Sequence, residues 1–311
     1  MSDINTLLAE FTNQANHPFY PWMFRHEGRE HTRHIVFSAL IHGNETGPLP
    51  AFLWAITALK AGDLYYGGTL TFILGNPEAA QKDQRFLESD LNRMFLDTPL
   101  DTHESRRAKI LAQIFDEADV LIDLHQTILP SAQAFYICPW SEKSSLWARA
   151  LAICSSAIDA TPATGPVKTR CADEYVWLQH KPAVTIELGE KGIHEHADTL
   201  AKKAIQRGIL IAEALEKGSS LESLAQIQPE LILFQTAHRE SYSSDDLLLR
   251  QGIINFQPVH KGEILSAENT PEIRSPIDGC ILFPKYPAFD TDGNPLARPQ
   301  EIFRIITPAT K

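Results

Sequence analysis

Residues 35–48 read IVFSALIHGNETGP, and the fold follows from how this stretch is interpreted. Ile35, Val36, Phe37, Ala39 and Leu40 form a short, nearly continuous apolar run, the pattern of a strand buried in a sheet. Gly43, Gly47 and Pro48 then mark the end of that strand and the start of a helix. Open α/β sheets place their ligands beyond the carboxyl ends of such strands, which is where His42 and Glu45 fall. The pair alone fits a turn histidine beside a solvated glutamate as well as it fits half of a metal site. A third ligand elsewhere in the chain decides between them.

Outward from this stretch, strands and helices alternate. Leu7, Leu8 and Phe11 at helical spacing predict an opening helix over 3–14. The segment HPFYPWMFRHEGREHTRH holds His17, His26, His31 and His34, whose spacing matches no metal pattern, so these histidines are expected in loops or on the surface. Leu49–Ala61 reads as a helix that buries Phe52, Leu53, Ile56 and Leu59, and TLTFIL at 69–74 as a second buried strand. A helix is predicted over 104–118 and a strand over 119–124, DVLIDL, which runs into His125. Further expectations are a strand at 135–138, a helix at 144–157, the strand AVTIEL at 183–188 and a long helix over 197–217. The HEH triplet at 194–196 is expected to be exposed. Past about residue 230 the pattern changes to short strand-like runs with turn residues such as Pro276, Asp278 and Gly279. The expected division is an α/β domain over 1–225 and a mainly β domain over 226–311.

The chemistry-bearing residues lie at the strand ends. His125 supplies the distant third donor that His42 and Glu45 lack; a short pair plus a remote ligand, with one position open for water, is the layout of a catalytic zinc site. Asp123 could orient a ligand or pair with a nearby backbone group or arginine. Glu187 sits inside an apolar strand, where an ionised carboxylate is costly unless it is paired or its raised pKa is used. It is therefore the candidate general base, with a structural salt bridge as the alternative. In QKDQRFLESDLNRMF, Arg85, Asn92 and Arg93 can grip a carboxylate, although a solvated loop with an Asp90–Arg93 pair would use the same residues.

With 28 Lys and Arg against 39 Asp and Glu, the net charge is -11, which argues against a general binder of nucleic acid or anionic membrane. The N-terminus lacks the basic start and apolar core of a signal peptide, and no run reaches the length of a membrane span, so a cytoplasmic location is expected. Cys138, Cys154, Cys171 and Cys280 form no CxxC pair and are expected as buried thiols. The sequence is compatible with a homodimer.

Taken in order, HGNE (42–45), NP (76–77), RFLESDLNR (85–93), DLH (123–125) and IELG (186–189) resemble the succinylglutamate desuccinylase/aspartoacylase family of zinc hydrolases. NFQPVHKGEIL and SPIDGCILFP are similar to that family's β domain. The resemblance implies a zinc-carboxypeptidase-like α/β fold, a mixed sheet flanked by helices with a smaller C-terminal β domain. It also implies one Zn2+ held by His42, Glu45 and His125, Glu187 as general acid/base, Arg85 on the acyl carbonyl, and Asn92 and Arg93 on a substrate carboxylate. The implied substrate is a small anionic N-acyl amino acid. The family carries an arginine ten residues before the catalytic glutamate, where this chain has Trp177, with Arg170 or Lys181 as candidate substitutes; for a family tyrosine of the C-terminal domain, Tyr286 is the nearby residue. The rival readings are a metallocarboxypeptidase-like enzyme acting on short peptides and a non-catalytic zinc-dependent binding protein.

Overall fold

A computed structural model describes residues 3–18, 20–96, 100–162, 170–242, 246–287 and 301–309. The helices are α1 (Ile4–Gln14), α2 (Leu49–Ala61), α3 (Pro77–Ala80), α4 (His103–Glu117), α5 (Glu142–Leu151), α6 (Ala172–Trp177), α7 (Glu195–Glu216) and α8 (Leu221–Gln226), with a 3-10 turn at Leu91–Arg93. The strands are β1 (Met23–Glu27), β2 (His34–Ala39), β3 (Thr69–Leu74), β4 (Val120–Thr127), β5 (Phe135–Cys138), β6 (Ser156–Asp159), β7 (Ala183–Glu190), β8 (Ile232–Ser241), β9 (Pro258–Val259), β10 (Gly279–Leu282) and β11 (Glu301–Pro308).

β2 is buried along its whole length because both faces of the sheet are covered. On one side Phe37 and Ile35 pack with Phe52 of α2 and Ile205 of α7. On the other, Val36 and Leu121 pack with Leu111 and Phe115 of α4 and Val176 of α6. The strand order β1-β3-β2-β4-β7-β5-β6-β8-β11-β10-β9 puts β2, β4 and β7 side by side and parallel at the centre. Their carboxyl ends therefore open at one edge, where His42, His125 and Glu187 are found. β5 runs antiparallel to β7 and sets Phe135 opposite Glu187.

The C-terminal strands continue the sheet, since β6 pairs with β8 in parallel and β11, β10 and β9 follow in antiparallel register. They enclose a core of their own around Leu265, Ile281, Phe303 and Ile305. A separate seam of Phe135, Ile158, Phe234, Phe256, Leu282 and Ile306 joins the two parts. Fully burying side chains of this size contributes about 1.5–3 kcal/mol each, which fixes the C-terminal strands against the rest of the sheet.

Three local expectations are corrected. His34 is not a surface residue; it opens β2, is 5% exposed, and bonds the Glu117 carbonyl and the Thr71 hydroxyl through its two ring nitrogens. The helix expected over 144–157 ends at Leu151, where Ala152 takes a left-handed φ of 51°, and Ser156 and Ala157 enter strand β6 instead. The segment before β2 contains an edge strand, β1, antiparallel to β3. The HEH triplet is exposed as expected. Cys138 and Cys154 are buried thiols, whereas Cys171 and Cys280 are only half-buried; all four are free.

Candidate active site

The turn after β2 begins with a strained residue. Leu40 adopts a φ of 55°, a conformation costly for a branched side chain, and redirects the chain so that His42 and Glu45 face the sheet edge. Gly43 is required next, because a Cβ there would lie 2.5 Å from the Ala80 backbone nitrogen in α3. Gln126 supports the turn from β4: its Oε1 accepts from Gly47 N at 2.7 Å and its Nε2 donates to the Glu190 and Gly192 carbonyls. Gln126 N also donates to Glu45 Oε2 at 3.1 Å. HGNE is thus bound to both strands that carry the other candidate residues.

Glu45 lies between two imidazoles. His42 Nδ1 is 2.7 Å from Glu45 Oε1, and His125 Nδ1 is 2.9 Å from Glu45 Oε2. One donor atom from each of His42, Glu45 and His125 lies within 4.8 Å of the others, and all three residues are buried. Burial alone would keep the Glu45 carboxyl protonated, but the His42 and His125 rings outweigh it and hold its pKa far below the usual range. The far side of each ring is engaged too. His125 Nε2 meets Asp123 Oδ2 at 2.8 Å, and Asp123 Oδ1 accepts from Ser38 at 2.6 Å, so the His125 tautomer and ring plane are fixed from behind. Asp123 therefore serves the histidine rather than a distant arginine. Two imidazoles and a carboxylate, all buried and converging, suit a borderline divalent ion such as zinc.

Glu187 lies on β7 directly across from His125 in the parallel register. It is 7% exposed, and its Oε2 is buried without a hydrogen-bond partner. Burial raises its pKa to about 8, with the Glu45 charge adding to the rise and His125 and Arg85 opposing it. Among the described residues Oε2 has no partner that would make the alternative salt bridge.

Arg85 reaches the same edge from the polar loop. Its Nη2 lies 2.6 Å from His42 Nε2, and its Nη1 lies 3.5 Å from Glu45 Oε1. Asp90 holds it, accepting from Arg85 Nε at 3.3 Å and Nη2 at 3.2 Å, while Asp90 Oδ1 sits 3.3 Å from His42 Nε2. Burial works against ionisation of Asp90, but His42 and the Arg85 and Arg93 charges keep its carboxyl well below the usual range. Asp90 therefore belongs to the site and is not the surface partner of Arg93. The loop itself hangs on Glu104, a fully buried acid that accepts from Asn76 Nδ2 and from the backbone nitrogens of Leu87, Glu88 and Ser89.

Asn92 and Arg93 lean on α6. Asn92 Oδ1 accepts from Ala172 N at 2.9 Å, so that among the described residues its amide donors are the end left for a ligand. Arg93 Nη1 donates to the Asn92 carbonyl at 2.6 Å and contacts Cys171 Sγ at 2.9 Å. Arg170 leads into this end of α6, its carbonyl accepting from Phe95 N at 3.4 Å. Trp177 closes the opposite end, where Tyr175 and Gln179 bond Asp116 near the C-terminus of α4. Lys181 donates to the Asp116 carbonyl in the same region, and the Tyr286 hydroxyl is bonded to Arg250 O and Ile253 N within the C-terminal strands.

Sequence reasoning passed over Glu104 and Gln126, and read Asp90, inside RFLESDLNR, only as the partner of Arg93 in a solvated loop. Glu104 had a signal only in its closeness to that stretch; Gln126, directly after His125, had none.

Comparison with known proteins identifies the family. The model of the "Succinylglutamate desuccinylase/Aspartoacylase catalytic domain" matches residues 31–213. The succinylglutamate desuccinylase of Pseudomonas fluorescens is 28% identical over 290 residues, covering 83% of this chain and 80% of the relative. That of Erwinia tasmaniensis is 27% identical over 264 residues, covering 78% and 76%. The crystal structure of the succinylglutamate desuccinylase from Chromobacterium violaceum superposes with a TM-score of 0.69 at 20% identity, over 98% of both chains. Among the described residues no helix is long and apolar enough to cross a membrane. The chain belongs to the succinylglutamate desuccinylase/aspartoacylase family.

Proposed function

We propose that the protein is a zinc-dependent amidohydrolase that removes the acyl group from a small anionic N-acyl amino acid. The observation that carries this reading is the unpartnered Glu187 carboxylate oxygen beside a converging His42, Glu45 and His125 set, with Arg85 pinned at the same edge. Family membership supports it, as do relatives named for desuccinylation.

Zinc held by His42, Glu45 and His125 would supply the positive charge that polarises the acyl carbonyl and acidifies a water. Glu187 takes a proton from the attacking water and holds it as the new C–O bond forms. In the second step it passes that proton to the amine as the C–N bond breaks. The products are a free carboxylic acid and an amino acid. Arg85, held in place by Asp90, donates to the oxygen on which negative charge develops, a contribution typically worth about 3–4 kcal/mol.

The amide donors of Asn92 and the remaining guanidinium donors of Arg93 grip a substrate carboxylate. Arg170 joins them. It is 9% exposed, its Nε and Nη1 have no hydrogen-bond partner among the described residues, and Nη1 is ion-paired with Glu174 at 3.8 Å. It therefore takes the place of the arginine that the family pattern would put at Trp177.

The test is a substrate panel of N-succinyl and N-acetyl amino acids and dipeptides, run on zinc-loaded protein. Chelator-sensitive deacylation that Glu187→Gln abolishes is expected. Faster turnover of the dipeptides would establish the peptidase instead, and tight uptake of N-acyl amino acids with no turnover would establish a binding protein.

A further inference from the structure

The NP pair at 76–77 has no part in the proposed reaction, yet it links the two turns that build the site. Asn76 caps α3 just past the end of β3. Its backbone N donates to Leu40 O at 2.6 Å, and Gly75 N donates to Ala39 O at 2.8 Å, so the strained turn leading into His42 is held from the β3 side. The Asn76 side chain makes the second link, with Nδ2 donating to Glu104 Oε1 at 2.9 Å. Asn76 and Glu104 are both fully buried.

Glu104 lies in the first turn of α4, where the helix dipole favours an acid. Besides Asn76 it accepts from Leu87 N at 2.7 Å, Glu88 N at 3.2 Å and Ser89 N at 3.0 Å. Three successive backbone amides thus converge on one carboxylate, the arrangement by which a turn holds an anion, here an anion of the same chain. A carboxylate has acceptor positions for all four donors; an amide in its place would turn an NH2 group against some of them. The start of α4 grips the same loop twice more, through Ser89 Oγ at 2.7 Å from Thr102 Oγ1 and through Glu88 Oε2, which accepts from His103 N.

These contacts bracket the segment that joins Arg85 to Asp90. Arg85 O accepts from Gly43 N, inside HGNE, at 3.0 Å, and the Arg85 guanidinium is held by Asp90 and lies 2.6 Å from His42 Nε2. Its place at the sheet edge is therefore set by a loop pinned at Glu104 and a turn pinned at Asn76, and the Asn76–Glu104 bond joins the two pins. Asn92 and Arg93 are anchored separately, on Ala172 and Cys171 at the start of α6. We propose that Asn76 and Glu104 are positioning residues of the reaction: the pair sets the register of the Arg85–Asp90 segment against the turn carrying His42 and Glu45, and so the point at which Arg85 meets the acyl oxygen. This rests on the deacylase reading for what Arg85 does there.

The experiment measures kcat, KM and zinc content of zinc-loaded Glu104→Gln protein, in the parent and in an Arg85→Gln background, with N-succinyl-L-glutamate as substrate. Glu104→Gln should lower kcat by about 10–100-fold, the range for groups that support a metal site. KM and zinc content should stay near the parent values, because Asn92, Arg93 and the three candidate ligands keep their own anchors. In the Arg85→Gln background the same substitution should change kcat by less than about twofold, since the side chain it positions is gone. An unchanged kcat in Glu104→Gln, a full loss in both backgrounds, or a loss carried by KM or by zinc content overturns the assignment. Should thermal melts show that Glu104→Gln does not fold, Asn76→Ala decides by the same cycle: it removes one bond of the bracket, and its smaller loss must likewise vanish without Arg85. Failure of the deacylase reading is seen separately, as absence of hydrolysis by the parent protein. Hydrogen exchange then tests the bracket without turnover: the Arg85 Nε proton should exchange slowly in the parent and faster in Glu104→Gln, and equal rates overturn it.

Discussion

His125 and Glu187 are paired across β4 and β7, so the third donor of the candidate metal set and the candidate base sit at the same level of the sheet. Their spacing is set by the strand ladder and not by loops. Replacing one side chain should therefore leave the other in place. Glu187→Gln is expected to lower kcat by about 10²–10⁴, the usual share of a general acid/base, while zinc content stays at the parent level. The substitution removes a buried carboxyl with an unpartnered oxygen, so the variant should melt at the parent temperature or above it. Kinetics together with metal analysis check this; loss of zinc along with activity would make Glu187 a ligand.

The His42, Glu45 and His125 set is buried, and its carboxylate is already ionised in the folded chain, so a divalent ion should bind the native state far better than the unfolded one. Chelation should abolish activity and lower the melting temperature, and added zinc should restore both; at a metal concentration 100 times Kd the stabilisation is about 2.7 kcal/mol. His125→Ala should remove both the activity and the zinc-dependent shift. A melting temperature unmoved by zinc would speak against the site.

Asp90 holds Arg85 by two contacts and also touches His42, so it fixes the angle between the proposed oxyanion donor and a candidate metal ligand. Asp90→Asn should lower kcat/KM by about 10–100-fold, the range seen when supporting groups of metal sites are changed. The loss should fall mainly on kcat, because Arg85 is asked to act on the transition state. An effect confined to KM would mean that Arg85 serves ground-state binding instead.

How much of this was legible in the sequence depends on how far each signal reached. The apolar runs at 35–40, 69–74 and 183–188 located β2, β3 and β7 because strands buried on both faces carry their own pattern. Ser156 and Ala157 were read as a helix end because four residues of strand are too few to show a period, and the break at Ala152 needs no glycine. The candidate ligands could be read because His42, Glu45 and His125 stand at strand ends. Glu104 and Gln126 could not, because their importance lies in partners 15 to 81 residues away, such as Ser89 for Glu104 and Glu45 for Gln126; the place of Asp90 depends on His42, which sequence spacing does not bring near it.

The buried His34 makes stability depend on pH in a specific window. Its ring is neutral in the folded chain, with Nδ1 at 3.2 Å from the Glu117 carbonyl and Nε2 at 2.8 Å from the Thr71 hydroxyl. The carbonyl can only accept, so Nδ1 carries the proton and Nε2 accepts from Thr71. Burial, reinforced by the charge of Arg25, lowers the His34 pKa from 6.5 to about 4. Because the folded value lies below the unfolded one, the unfolded chain takes up the proton first. The full stability is present above about pH 6.5 and is lost as the pH falls toward 4, a contribution on the order of 3 kcal/mol. Urea unfolding between pH 7.5 and 4 should show this slope in the parent and a shallower one in His34→Gln. Asp173, whose pKa is pushed up to about 7 by burial, gives a slope of opposite sign in both proteins and cancels in their difference. Parallel curves for the two proteins would place the acid sensitivity elsewhere in the chain.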